Sequence, residues 1–154
     1  MDTTRWLSEG EQEIWRSFVT AVEGLTDYFD RQLQRDSAMP YTYYEILVAL
    51  SEAPDRTLRM SQLAGARGSS RSRLSHAVAR LEEVGWVHRR TCHTDKRGSF
   101  AVLTDAGFAA LAAAAPGHVT AVREKIFDQL TPEQVAQLGE ISRAILRGLC
   151  GSGE

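Results

Sequence analysis

Two cysteines and four prolines are all that 154 residues contain, and no apolar run approaches the roughly twenty residues that span a bilayer. Cys92 and Cys150 are too few for a disulfide framework and lack the C-x-x-C spacing of zinc or thioredoxin-like chemistry, so reduced thiols are expected. The N-terminal MDTTRWLSEGEQEIW is acidic and broken by charges, without the basic and apolar regions of a signal peptide and without transit-peptide character. A cytoplasmic protein with no membrane partner is the expectation. Phosphate loops, nucleophile motifs and paired carboxylates are also missing, which argues against an enzyme and implies no cofactor. A thiol hydrolase built on Cys92 would need a separate histidine and an orienting acid, whereas His93 is merely adjacent. What is present, 43% hydrophobic and 25% charged residues, suffices for one core and one domain.

The net charge of −2 conceals a division. Residues 59 to 97 hold nine basic side chains (Arg59, Arg67, Arg71, Arg73, Arg80, Arg89, Arg90, Lys96, Arg97) against Glu82, Glu83 and Asp95. That segment carries +6, so the remainder carries −8. A basic module on an acidic scaffold is the electrostatic footprint of nucleic-acid binding, although a solvated basic face would look the same from charge alone.

Periodicity organises the chain. From about Ser8 to Arg35, Ile14, Trp15, Phe18, Val19, Val22, Leu25, Phe29 and Leu33 follow a helical period. After Pro40, YTYYEILVALSEAP reads as a second helix ending near Pro54. Leu58, Arg59 and Met60 form a short extended piece, and Ser61 is placed to cap a helix of two turns ended by Gly68. Ser70 caps the next helix, which stops at Gly85. These two short helices joined by a tight turn are a helix-turn-helix in sequence form. WVHRRT and SFAVLT are strands around a polar tip, CHTDKRG, and so a hairpin wing. Thr104 and Asp105 cap a long Ala-rich helix expected to be interrupted at Pro116. Thr131, Pro132 and Glu133 open a final helix to about Leu149.

The helix after Ser70 has an unusual front end. Leu74, Ala77, Val78, Leu81 and Val84 make its apolar side, which turns Ser72, His76, Ala79 and Glu83 outward, with Arg73 and Arg80 on one flank and Ser75 on the other. Small polar groups and arginines at a helix N-terminus suit the major groove, where they read base edges or grip phosphate. Ser72, Arg73 and His76 are the expected base-reading residues; Ser70, Arg71, Ser75 and Arg80 are expected at the backbone. For Arg80 a surface ion pair with Glu82 or Glu83 is the competing role.

The order of elements, with MSQLA, SRSRLSHAVARLEEVGWVHRR, D-x-R at Asp95 to Arg97 and AVLTDAG, resembles the MarR family of winged helix-turn-helix transcription regulators over nearly the whole chain. The resemblance implies a mainly α fold with a small β-hairpin wing. Residues 38–110 would form the winged helix-turn-helix lobe, and residues 1–37 and 111–154 the dimerisation helices, all within one domain. It implies that Arg97 enters the minor groove oriented by Asp95, with Lys96 and Arg90 beside it on double-stranded DNA. Arg67 and Ser69 depart from the family's usual apolar residues in the turn, and the wing lacks a proline.

The apolar stripes at Trp6, Leu7, Ile14, Trp15 and Phe18 and at Ile141, Ile145, Leu146 and Leu149 exceed what a small core can cover, so a two-fold homodimer on a pseudo-palindromic operator is expected, most simply as a repressor. By resemblance, a small phenolic or lipophilic effector would sit near Trp15, Tyr41, Tyr43 and Tyr44; the habits of buried aromatics favour a core or interface role for the same rings. Two alternatives stay open: a winged helix that binds only protein, and an oxidant sensor at Cys92, set among Arg89, Arg90 and His93. Zinc on His88, Cys92, His93 and Asp95 lacks a second cluster to complete it.

Overall fold

Ser8 begins the helical part of the chain. Its hydroxyl accepts the Glu11 N–H at 3.2 Å and the Glu11 carboxylate accepts the Ser8 N–H at 2.8 Å, a reciprocal cap that opens α1 (Glu9–Ser37). Ala38, at φ 49°, ends that helix in the left-handed region. The next helix, α2 (Tyr41–Glu52), starts beside it because Asp30 of α1 accepts the Tyr41 N–H at 2.8 Å. A 3-10 turn at Pro54–Arg56 leads to β1 (Thr57–Arg59), α3 (Met60–Arg67) and α4 (Arg71–Val84). The strands β2 (Val87–Thr91) and β3 (Ser99–Leu103) follow, then α5 (Asp105–Lys125), a second 3-10 turn and α6 (Pro132–Cys150). This computed structural model describes residues 3–67, 70–91 and 98–150.

The expected hairpin is part of a three-stranded antiparallel sheet in the order β1-β3-β2. The short extended piece around Leu58 pairs with Ala101, which gives β3 a partner on its second edge. Leu33 of α1, Leu47 and Leu50 of α2, Leu63 of α3, Val78 and Leu81 of α4 and Ala101 of β3 are fully buried in one core. Leucine is the commonest residue in it, so the lobe rests on close aliphatic packing.

Three expectations are corrected. The third helix begins at Met60, so Ser61 lies inside its first turn instead of capping it; Gln62 reaches back to the Arg59 N–H at 3.1 Å and performs the cap. Val84 is 55% exposed, because the helix ends there and Gly85, at φ 83°, turns the chain away. Pro116 does not interrupt α5, which runs unbroken from Asp105 to Lys125. The carbonyl that proline leaves without a ladder donor belongs to Ala112, an exposed residue within reach of water.

Backbone contacts divide the chain into two compact units, Met1–His118 and Val119–Glu154. In the second, Thr131 and Gln134 exchange side-chain and backbone hydrogen bonds at 2.9 and 3.2 Å to cap α6, and Arg123 pairs with Asp128 at 3.3 Å. No helix among the described residues is long and apolar enough to cross a membrane.

Candidate nucleic-acid interface

Ser70 caps α4 as its sequence requires: the hydroxyl accepts the Arg73 N–H at 3.3 Å and lies 3.4 Å from the Ser72 hydroxyl. Leu74, Ala77, Val78 and Leu81 are buried, which leaves Arg71, Ser72, Arg73, His76, Ala79 and Arg80 exposed. The charge of the first turn sets this helix apart. The opening turn of α1 carries Glu9 and Glu11, that of α5 Asp105 and that of α6 Glu133, each acid favoured by the positive end of the helix dipole. The opening turns of α2 and α3 are also without an acid, but that of α4 alone adds two arginines, Arg71 and Arg73. Cations at that end are locally unfavourable, and an anion arriving from outside relieves the conflict.

Two side chains expected to meet DNA already have protein partners. Arg80 Nη1 lies 2.8 Å from Glu83 Oε2, both groups well exposed. This is the competing ion pair named above. At such exposure it contributes little to stability. Ser75 is half-buried, and its hydroxyl and carbonyl accept from Arg89 Nη2 at 3.1 and 2.7 Å. The Arg89 Nε stands 3.1 Å from Glu82 Oε1, near enough for charge attraction but without hydrogen-bond alignment. Arg89 therefore ties β2 to α4. Strand alternation carried that signal: Arg89 shares the face of the buried Val87, so it points inward while Arg90 points out. Outward, the Arg90 guanidinium lies 5.5 Å from the centre of the Phe100 ring.

A cleft of about 370 Å³ opens where α3, α4 and the sheet meet, with Arg59, Ser61, Arg71, Ser75, Arg89 and Gly98 on its walls. Asp95, Lys96 and Arg97 of the wing, Cys92 and His93, and Gly68 and Ser69 of the turn lie outside the described residues.

The motif AVLTDAG holds the sheet and the following helix to the end of α4. Thr104 donates its hydroxyl to the Gly85 carbonyl at 2.7 Å, donates its N–H to the Trp86 carbonyl at 3.0 Å, and caps α5 by accepting the Gly107 N–H at 3.0 Å. A Cβ at position 107 would collide with the Trp86 carbonyl oxygen, so only glycine fits there. Asp105 pairs with Arg56 at 3.1 Å, whose guanidinium lies 4.1 Å from the Phe108 ring centre.

The four aromatics considered for an effector are not gathered into one place. Tyr44 and Tyr41 pack on the His118 ring at centroid distances of 4.5 and 5.7 Å, with Phe29 at 5.1 Å. His118 Nδ1 lies 3.3 Å from Gln32 Oε1, and burial lowers the pKa of the imidazole. Tyr43 packs partly buried against the core, whereas Trp15 stays exposed on α1 with Phe18 at 6.4 Å. Among the described residues no three His, Cys, Asp or Glu side chains gather to hold a metal.

A family model described as MarR family matches residues 39–98, from the start of α2 to the end of the hairpin tip. The solved structure of Sco3205 from Streptomyces coelicolor, a MarR family transcriptional regulator in complex with DNA, is 56% identical. The match covers 97% of this chain and 93% of that one, with a TM-score of 0.90. AbsC, a MarR family transcriptional regulator from the same organism, is 40% identical over 97% of this chain and 100% of its own, with a TM-score of 0.88. The transcriptional repressor MprA of Escherichia coli is 28% identical over 70% of this chain, and the match spans 61% of that protein's length. On the strength of these matches, the chain belongs to the MarR family of transcriptional regulators.

Proposed function

We propose that the chain is a sequence-specific, double-stranded-DNA-binding transcription regulator, acting as a homodimeric repressor on a pseudo-palindromic operator. The observation that carries this is the acid-free, arginine-bearing first turn of α4, capped by Ser70 and presented at the surface of its lobe. Ser72, Arg73 and His76 read base edges; Ser70, Arg71, Ser75, Arg80 and Arg90 hold the backbone. Asp95, Lys96 and Arg97 enter this reading from the sequence alone. Its relatives support it: one is crystallised with DNA and another is named a repressor. The exposed apolar stripes of α1 and α6 are the surfaces that a second copy would cover, and the two-fold sets two recognition helices about one DNA turn apart. Release by a small aromatic or lipophilic effector completes the regulatory cycle.

Fluorescence anisotropy tests the reading, with the DNA upstream of the protein's own gene and a scrambled duplex titrated at two salt concentrations. Preferential binding that weakens steeply with salt, and an Arg73→Ala variant weaker by about 1–3 kcal/mol on the preferred duplex only, is the expected result. Absence of binding to either duplex at low salt would overturn it.

A further inference from the structure

The outer face of the sheet carries a cationic arrangement that the helix-turn-helix motif does not include. Strand order and register place Arg59 of β1 and Arg90 of β2 directly opposite Phe100 of the central strand, one on each side and all on the same face. Both guanidiniums lie near the ring, at 5.1 Å for Arg59 and 5.5 Å for Arg90. Phe100 is half-buried and both arginines are exposed. Among the described residues neither arginine has a carboxylate within ion-pair reach, in contrast to Arg56, Arg80 and Arg89.

Two guanidiniums held by one ring are pre-ordered, since stacking removes part of the rotamer freedom an arginine otherwise loses on binding. Arg59 is also on the wall of the cleft that includes Arg71, the first residue of α4, and Gly98 beside the wing tip. It thus shares one cleft with the first turn of the proposed recognition helix and with Gly98, which precedes β3.

We infer that Arg59, with Arg90 across the Phe100 ring, forms a phosphate clamp that grips the DNA backbone between the groove read by α4 and the groove entered by the wing. The inference rests on the DNA-binding reading above and adds to it a residue outside the helix-turn-helix and the hairpin. Such a contact positions the protein without reading sequence, so its loss acts alike on every duplex.

The test measures binding of full-length protein to the scrambled duplex over a range of salt concentrations, for wild type, Arg59→Ala, Arg59→Lys and Phe100→Leu. Each phosphate contact contributes about 0.9 to the slope of log K against log salt, and the proposed dimer loses one on each protomer, so Arg59→Ala should lower the slope by about 1.8, with about tenfold weaker binding per protomer. Arg59→Lys should restore the slope, because the charge remains. Phe100→Leu should keep the slope and weaken binding about two- to fivefold, because only the ring support is lost. Thermal melting separates the outcome from a folding defect: Arg59→Ala that melts earlier than wild type but binds with an unchanged slope assigns Arg59 to sheet packing and overturns the clamp. If wild type binds no duplex at all, it is the DNA-binding reading that fails; wild-type binding with an Arg59→Ala slope equal to its own removes the clamp alone.

Discussion

The helices α4 and α6 are both amphipathic, yet they spend their apolar sides differently. In α4, Leu74, Ala77, Val78 and Leu81 all disappear beneath the chain's own core. In α6 no residue is buried, and Ile141, Ile145 and Leu149 recur along one stripe at 44 to 69% exposure. The N-terminal half of α1 repeats the second pattern through Ile14, Trp15, Phe18 and Val22, whereas its C-terminal half buries Phe29 and Leu33. Where a lobe consumes its own hydrophobic surface, the outward chemistry is polar and cationic. Where a stripe stays exposed among the described residues, the outward chemistry is apolar, and this is the surface that the proposed dimer would cover.

The comparison breaks most visibly on its apolar side. Ile141→Glu combined with Ile145→Glu puts two charges into the stripe that the proposed dimer buries. Light scattering should report a monomer where wild type is a dimer, and operator affinity should fall at least about a hundredfold as the linkage between two half-sites is lost. Melting of the winged lobe should stay as in wild type. A double variant that remains dimeric would assign the interface to other surfaces.

Gly107→Ala attacks the opposite side. The added methyl group would overlap the Trp86 carbonyl oxygen and come within 2.8 Å of Leu103 Cδ1, both part of the seam joining sheet, α4 and α5. Chemical denaturation should show a loss of about 1–3 kcal/mol, the usual penalty for overpacking a closed site. Dimer formation should persist in the folded fraction. An unchanged denaturation midpoint would mean that the seam yields freely.

A finer distinction comes from pH. His118 is buried among Phe29, Tyr41 and Tyr44, with Gln32 on its Nδ1 and Asp36 on the far side of Gln32. Burial lowers its pKa in the folded chain, so the unfolded chain binds the proton more readily. Its contribution to stability is therefore complete above the unfolded value of about 6.5 and is lost as pH falls through that value toward the folded one. The Tm should drop on acidification across this window, and His118→Gln should flatten the drop. Asp36 also weakens the fold in acid, but in the carboxylate range, since hydrogen bonds from Arg35 and Gln32 hold its pKa below the ordinary value. A His118→Gln profile that follows wild type from neutral pH into mild acid would assign the sensitivity to another group.

Much of the lobe was legible because its signals are local. Ser8, Ser70, Thr104 and Thr131 each cap the helix they precede, and Gly85 ends α4 in the left-handed conformation that glycine allows. The polar outward face of α4 follows from the 3.6-residue period alone. The failures are equally specific. Ser61 looked like a cap, but Gln62 competes for the same turn and wins by reaching the Arg59 N–H. Pro116 looked like a break, but a single lost donor beside an exposed carbonyl does not end a helix of 21 residues.

What the sequence by itself determined is the order of the elements, their caps, and the basic segment with its polar recognition face, because each depends on neighbours within a few residues. Tertiary structure alone decided that β1 joins β3, that Ser75 is the partner of Arg89 and Phe100 that of Arg90, and that Arg59 faces the same ring. Those outcomes depend on pairing and register between segments far apart in the chain, and a one-residue change of register between β1 and β3 would turn Arg59 away from the Phe100 ring.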